Sequence, residues 1–205
     1  MHDEAKKRDA VVFRAEEATK RSPFKILVFT MLSARTKDET TIKVVERLFK
    51  KAKTPKQVMA IDIRELERLL FGVGFFRVKA KNLLKTCAIL EKAGGRVPDT
   101  LEALLELPGV GRKTANIVLA RAFHKNSLGV DVHVHRISNR LGLVKTKKPE
   151  ETELDLTKKI PGRYLAKLNR SFVAYGQTVC LPRNPLCAIC PIRKICRRVG
   201  VHSSA

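Results

Sequence analysis

Apolar residues recur at intervals of three and four along almost the whole chain, and this spacing constrains the fold more than any other feature. Ile42, Val45, Leu48 and Phe49 share one face of a predicted helix, and the same period returns further along the sequence. Alternating strands joined by a two-residue hairpin turn are not found. The pattern predicts an all-α protein of roughly ten short helices, with the apolar segment Phe24 to Leu32 as a buried central helix.

Helix starts are predicted from capping residues. Thr54 is followed by proline, which indicates an N-cap and a first helical position. Asp62 and Asp99 are each followed three residues later by glutamate, which predicts two capping boxes.

The chain is strongly basic. Its 205 residues include 42 Lys and Arg against 20 Asp and Glu, which gives a formal net charge of +22 at pH 7. Because 44% of the residues are hydrophobic, the chain can form a packed core and is not a disordered polycation. The excess positive charge favours an anionic partner, and nucleic acid is preferred over a membrane surface or an acidic protein.

Membrane insertion and secretion are not expected. The longest nearly uncharged apolar run, Ile26 to Leu32, is far shorter than the ~20 residues that cross a bilayer. The first residues, MHDEAKKRDA, contain no apolar signal-peptide segment. We therefore expect an intracellular protein.

A glycine-containing turn separates two helical patterns. Residues 107–113 have the sequence LPGVGRK, and the second helix is predicted to begin at its end. The N–H groups at a helix start lack partners within the helix, so a DNA phosphate could bind there. The candidate phosphate-binding residues are Pro108, Gly109, Val110, Gly111 and Arg112. An ordinary turn between two helices, with glycine in a left-handed conformation, is the alternative.

Lys113 and Asp131 are candidate catalytic residues. An uncharged lysine amine is a nucleophile, and Lys113 lies in the first turn of the predicted helix. A return of the chain after this helix could bring the carboxylate of Asp131 back towards Lys113. Two other roles stay open, namely a lysine that only contacts phosphate and an aspartate that only caps the helix predicted from Val132 to Leu141.

Four cysteines lie close together near the end of the sequence. Cys180, Cys187, Cys190 and Cys196 have the spacing C-x6-C-x2-C-x5-C. Because a reducing compartment disfavours disulfides, a metal or cluster site is the better interpretation. Four thiolates could hold a tetrahedral zinc ion or an iron–sulfur cluster, and the ligand type does not distinguish the two. Cys87 falls on the apolar face of its helix and is predicted to be a core residue.

Together these motifs resemble the endonuclease III family, the DNA glycosylases and AP lyases of the helix-hairpin-helix superfamily. The resemblance extends from about residue 22 to residue 197. It rests on LPGVGRKTA at 107–115, on VD at 130–131 followed by HV at 133–134, and on the cysteine spacing, which in that family binds a [4Fe-4S] cluster.

The resemblance implies two helical lobes with DNA in the cleft between them. Residues 23–127 would form a six-helix domain with the helix-hairpin-helix at about residues 100–123. An N-terminal helix in residues 1–22 would join residues 128–205 in the lobe that carries the cluster.

The resemblance also implies base excision repair of oxidised pyrimidines in duplex DNA. Lys113 matches the Schiff-base nucleophile of the family and Asp131 its catalytic carboxylate. Related glycosylases without lyase activity lack a lysine at this position, so Lys113 favours a lyase. The cluster would be structural and would help to position DNA.

Further DNA contacts are expected at Phe75, Arg35 and Lys37. Phe75 matches a loop position where family members carry an apolar residue that inserts between bases, although a core role is the alternative. Arg35 departs from the family pattern, because many bacterial members have at this position a glutamine that fills the gap opposite the unflipped base. Arginine prefers guanine acceptors.

Two alternatives remain at the level of sequence. One is a glycosylase of the same fold that acts on mismatches or other lesions. The other is a non-catalytic helix-hairpin-helix DNA-binding module with zinc held by the four cysteines. The main prediction is a monomeric enzyme in the cytoplasm, associated with the nucleoid, which acts on double-stranded DNA with a damaged base or abasic site.

Overall fold

A computed structural model of the protein describes residues 8–20 and 22–204. Within these residues all regular structure is helical, with eleven α-helices, two short 3₁₀ helices and no strand. The α-helices are α1 (Val11–Thr19), α2 (Pro23–Ser33), α3 (Asp38–Lys51), α4 (Pro55–Met59), α5 (Ile63–Leu70), α6 (Phe76–Lys92), α7 (Leu101–Leu105), α8 (Arg112–Ala122), α9 (Val132–Leu141), α10 (Pro149–Lys159) and α11 (Leu165–Thr178). The 3₁₀ helices are Gly162–Tyr164 and Arg193–Ile195. The all-α prediction is confirmed.

The chain divides into two compact units, each with its own apolar core. One unit is Arg14–Lys125, and the other joins the described residues up to Phe13 to the chain from Asn126 onward. The domain boundaries at 22/23 and 127/128 stay predictions. None of the helices in the described residues is long and apolar enough to cross a membrane.

Helix α2 is the centre of the unit Arg14–Lys125. It begins at Pro23 after the N-cap Ser22, and almost all of its side chains from Phe24 to Leu32 are buried. Helices α3, α6 and α8 pack against it. This confirms the predicted central helix and shows why the start of α8 has a fixed position on the core.

Cys87 is a core residue of the same unit, as predicted. Its side chain is fully buried on α6. Burial, together with the negative charge of Glu91, raises the pKa of the thiol to about 12.

The other unit is built on α9, which packs against α10 and α11. Val134 and Ile137 of α9 share a buried core with Leu156 of α10 and Tyr175 of α11. Val130 is also buried in this core and fixes the chain just before α9. Asp131 is therefore held at the start of a well-packed helix.

Candidate DNA-binding and catalytic site

The turn between α7 and α8 depends on a glycine at position 109. Gly109 has φ +82°, and a Cβ there would lie 2.9 Å from Nδ2 of Asn82. The N–H of Val110 donates to the Leu107 carbonyl at 3.0 Å, and the Val110 side chain is buried. Val110 thus stabilises the turn through its amide and its buried side chain, and the DNA contact expected at Val110 stays a prediction.

The start of α8 presents open backbone donors. Gly111 is the N-cap residue and has no side chain to accept hydrogen bonds from the first turn. Within the described ranges, the N–H groups of Gly109 and Gly111 have no acceptor. Arg112 is exposed, while the Pro108 carbonyl accepts from Oγ1 of Thr86 at 3.3 Å. Such a helix start combines unpaired donors with a positive dipole end and suits an anion.

Lys113 is exposed in the first turn of α8. Its neighbours Thr114 and Ala115 are buried, so the backbone is anchored on the core while the lysine side chain points to solvent. In the part of the chain that the structure describes, the amine makes no hydrogen bond or ion pair. A substrate can therefore approach the amine without first displacing a protein partner.

Asp131 is the N-cap residue of α9. Its Oδ1 atom accepts hydrogen bonds from the amides of His133 and Val134, both at 2.9 Å. No donor among the described residues bonds to the other oxygen, Oδ2. The sequence-based interpretation of Asp131 as a cap is confirmed, and the carboxylate keeps one oxygen for a second role.

Lys113 and Asp131 belong to different compact units. Their cooperation in one active site stays a prediction from the sequence and the resemblance.

Arg35 and Phe75 form an exposed pair on two loops. Arg35 follows α2 and has φ 54°, and Phe75 precedes α6 and has φ 58°. The guanidinium carbon of Arg35 lies 5.7 Å from the centre of the Phe75 ring, a cation–π distance. Phe75 is 63% exposed, so the core interpretation of this residue is wrong. Lys37, exposed two residues after Arg35, holds the N-cap position of α3 without a capping side-chain bond.

The two loops are tied together by Lys79 and Thr36. Nζ of Lys79 donates to the carbonyls of Leu32 and Ala34, each at 2.7 Å, and to Oγ1 of Thr36 at 3.2 Å. The same Oγ1 accepts from the amide of Gly74 at 3.0 Å. The sequence analysis missed Lys79, because a lysine in a helix carries no signal of a distant partner.

Four cysteine side chains line one small cavity in the unit that contains α9. All four are free thiols. Its other lining residues are mainly apolar, including Ile137, Leu141, Val179, Leu186, Ile192 and Val201. Among the described residues, no group of three His, Cys, Asp or Glu side chains is arranged so that it could hold a single metal ion. The four thiols can serve a cluster in which each thiolate binds its own iron.

Hydrogen-bond donors point at three of the four sulfur atoms. Arg140 Nη1 donates to Cys180 Sγ at 3.3 Å, and the Tyr175 hydroxyl donates to Cys190 Sγ at 3.0 Å. The amide of Arg198 donates to Cys196 Sγ at 3.4 Å. Donors of this kind stabilise negative charge on cluster sulfurs. The residues present therefore fit an iron–sulfur cluster.

Burial raises the pKa of Cys196, and the neighbouring cysteines add to this effect. Four thiolates around one cavity would repel one another, and binding to iron would compensate their negative charge. Buried Arg140 also donates to the carbonyls of Leu181 and Pro182, at 2.6 and 2.8 Å, and so fixes the chain next to Cys180.

The described residues thus combine an all-helical fold with a glycine turn between two helices, an exposed lysine at a helix start and a pocket lined by four cysteines. The model of the HhH-GPD superfamily of base excision DNA repair proteins matches residues 28–162. The model of the iron–sulfur binding domain of endonuclease III matches residues 180–196. The chain therefore belongs to the endonuclease III family of this superfamily.

Individual proteins agree with this assignment. Endonuclease III of Thermotoga maritima is 50% identical over 175 residues, which cover 85% of this chain and 82% of the relative. Endonuclease III of Escherichia coli K12 is 35% identical over 176 residues, covering 85% of this chain and 83% of the relative. A solved structure of a non-covalent endonuclease III–DNA complex matches with a TM-score of 0.81 at 35% identity, covering 93% of this chain and 95% of that one.

The family assignment confirms the general function expected from the sequence. The protein is a base excision repair enzyme, a DNA glycosylase with AP lyase activity, and it carries an iron–sulfur cluster. None of these comparisons favours a non-catalytic DNA-binding module with a zinc site.

Proposed function

We propose that this enzyme removes oxidised pyrimidines from duplex DNA and then cleaves the abasic site, with Lys113 as the nucleophile and Asp131 as the catalytic carboxylate. The observation that carries this proposal is the exposed amine of Lys113, without a partner in the described residues, directly after the open helix start at Gly111. A phosphate bound at that helix start would place the DNA backbone within reach of the amine.

The chemistry begins at the sugar of the damaged nucleotide. The base is extruded from the duplex, the Lys113 amine forms a bond to C1′, and the bond between C1′ and the base breaks. The base departs with the bonding electrons and gains a proton. Loss of the amine proton and opening of the sugar ring then give a Schiff base. Removal of a proton from C2′ expels the 3′ phosphate by β-elimination and cuts the strand.

Asp131 would act through its carboxylate. Oδ1 accepts from two amides of α9, and Oδ2 accepts no hydrogen bond from the described residues. A fixed negative charge stabilises the positive charge that develops on the sugar as the base leaves. The same carboxylate can help to transfer protons between the amine and the sugar.

The DNA contacts divide into backbone and base contacts. The amides of Gly109 and Gly111, with the Arg112 side chain, would bind phosphate and carry no base information. Exposed Phe75 would fill the space left by the extruded base, and Arg35 beside it would hydrogen-bond the opposite base, with guanine preferred. Lys37 would add a phosphate contact next to Arg35.

Cys180, Cys187, Cys190 and Cys196 would hold the iron–sulfur cluster, which would cross-link residues 180–196 and take no part in the bond changes at the sugar. The residues Arg183, Arg193, Lys194, Arg197 and Arg198 around these cysteines are exposed. These cations would face the DNA backbone. We expect the enzyme to act as a monomer in the cytoplasm, associated with the nucleoid, on DNA with a damaged base or abasic site.

Borohydride trapping tests the proposed function. The wild-type enzyme should form a covalent adduct with a duplex that contains an oxidised pyrimidine or an abasic site, and Lys113→Ala should form none. Arg112→Ala is the matched control, because it removes a neighbouring charge and should weaken binding while the adduct still forms. The proposed role of Lys113 is wrong if the wild type gives no adduct or if Lys113→Ala still gives one. A faster reaction on a mismatched duplex would favour the alternative substrate class.

A further inference from the structure

Two residues in unfavourable backbone conformations lie side by side on the surface proposed to read DNA. Arg35 and Phe75 both have positive φ values, although neither is glycine. Side chains with a Cβ rarely adopt this region, and such conformations persist only where the surrounding structure fixes them. Other contacts in the fold must therefore hold the loops of Arg35 and Phe75 in these conformations.

Lys79 provides three of the bonds that hold them. An ammonium group has three N–H donors, and Lys79 directs them at three acceptors of residues 32–36. Two of these acceptors, the carbonyls of Leu32 and Ala34, lie at the C-terminal end of α2, where carbonyls lack helical partners and a cation is favourable. Lys79 itself lies on α6, four residues after Phe75. The ammonium thus connects the loop of Arg35 to the helix that begins beside Phe75.

Two further contacts join the loop of Arg35 to the loop of Phe75, and we call this contact region the junction. Oγ1 of Thr36 accepts from both Lys79 and the amide of Gly74, so one hydroxyl bridges the two loops. A Cβ at position 74 would lie 2.9 Å from the carbonyl oxygen of Arg35. The backbones are therefore in direct contact next to the Arg35–Phe75 pair.

We propose that Lys79 is a positioning residue, which holds Arg35 and Phe75 together as a preformed wedge for entry into the DNA duplex. This inference rests on the proposed function of Arg35 and Phe75. Lys79 has no contact with the reacting atoms in this scheme, and its effect should appear only where the duplex must be opened. Attack of Lys113 on an abasic site in single-stranded DNA needs no wedge and should not depend on Lys79.

Lys79→Met tests the inference, because methionine keeps much of the side-chain length and removes all three donors. Lys81→Met is the matched control, since Lys81 is an exposed lysine two residues along the same helix. One measurement is the affinity for a duplex with a tetrahydrofuran abasic analogue, at several salt concentrations. The other is the rate of borohydride trapping on a single-stranded abasic site.

Lys79→Met should weaken duplex binding by about tenfold or more, because small misplacements of positioning groups have large effects. Its trapping rate on single-stranded DNA should stay near that of the wild type. Lys81→Met should show only the small, salt-dependent loss of one surface charge. Lys79→Arg should restore part of the duplex affinity, since arginine also offers several donors.

The inference is overturned if Lys79→Met and Lys81→Met bind the duplex equally well, or if trapping on single-stranded DNA falls by the same factor as duplex binding. A wild-type enzyme that gives no adduct contradicts the proposed role of Lys113 but leaves the affinity comparison intact. If Lys79→Met does not fold, Thr36→Val removes the shared acceptor and must weaken duplex binding in the same selective way.

A spectroscopic test reports on the loop itself. The chain contains no tryptophan, so Phe75→Trp introduces a single fluorescent reporter at the wedge. Adding Lys79→Met to this variant should lower the fluorescence anisotropy of the reporter, whereas adding Lys81→Met should not. Equal anisotropy in the two double variants would refute the positioning role.

Discussion

Replacing Asp131 separates its structural role from its catalytic role. Oδ1 accepts both amide hydrogen bonds at 2.9 Å, and the carboxamide oxygen of asparagine can accept the same two bonds. Asparagine and aspartate are equally good N-caps, whereas alanine has no acceptor. Asp131→Asn should therefore keep the cap of α9 and lose the charge, while Asp131→Ala should lose both.

The two variants should differ measurably in stability. Loss of an N-cap costs about 1 kcal/mol, with a range of roughly 0.5–2 kcal/mol. For a protein of this size, each kcal/mol lost from the free energy of unfolding lowers the melting temperature by about 2–4 °C. Asparagine loses only the interaction of the charge with the helix dipole, about 0.3–1 kcal/mol. Because both variants lack the carboxylate, both should release base more slowly, by about 10²–10⁴-fold.

Thermal unfolding and single-turnover base release measure these effects separately. Asp62→Ala is the matched control, because Asp62 caps α5 with Oδ1 bonds of 2.9 and 3.4 Å to the amides of Arg64 and Glu65. This control should lose a similar stability and keep its rate. If Asp131→Asn had the same melting temperature as Asp131→Ala, the capping role of Asp131 would be refuted. A wild-type rate in Asp131→Asn would show that the carboxylate charge is not used in catalysis.

Other properties follow from the same structure. Cys87 should resist thiol reagents in the folded protein, because burial and Glu91 raise its pKa to about 12, and peptide mapping after labelling checks this. Gly109→Ala should cost about 1–2 kcal/mol and weaken duplex binding, whereas Gly94→Ala, with φ +75° and open space around its Cβ, should affect only stability. The logarithm of the association constant for duplex DNA should fall linearly with the logarithm of the salt concentration, with a slope of about −0.9 per neutralised phosphate. An association constant that does not change with salt would contradict phosphate binding. Iron and acid-labile sulfide should be present in the purified protein, and their removal should lower its melting temperature.

The sequence predicted helix starts well where the cap lies next to its helix. Thr54 accepts from the amide of Gln57 at 3.3 Å, and Asp62 is the N-cap of α5 as expected. The Glu65 carboxylate, predicted to complete a capping box with Asp62, accepts from Nζ of Lys51 instead. The capping box predicted at Asp99 is wrong, because Oγ1 of Thr100 accepts from the amide of Ala103 at 3.3 Å and caps α7 instead.

A distant contact explains that error. The Asp99 carboxylate pairs with Lys125 at 2.8 Å, and hydrogen bonding to Lys125 lowers the pKa of Asp99. The partner lies beyond the whole of α8, so no local pattern around Asp99 could indicate it.

At the site as well, features that depend on neighbours in sequence were predicted, and features that depend on distant residues were not. The hairpin turn, the cap at Asp131 and the cysteine loop each depend on residues close together in sequence, and each was found from spacing. The junction of the Arg35 and Phe75 loops depends on hydrogen bonds between residues 38 to 47 positions apart. Sequence periodicity contains no information on such pairs, so the backbone conformations of these two residues could not be predicted.

The magnitudes indicate why that junction can remain in place before DNA binds. Left-handed backbone at a residue other than glycine costs about 1–2 kcal/mol, so Arg35 and Phe75 together cost about 2–4 kcal/mol. Hydrogen bonds from a charged group contribute about 1.5–3 kcal/mol each, and Lys79 makes three. Partial burial offsets some of this gain, since it lowers the pKa of Lys79 to about 8. On these figures the bonds balance or exceed the backbone cost, so we expect the two loops to relax out of the left-handed region when the bonds are removed.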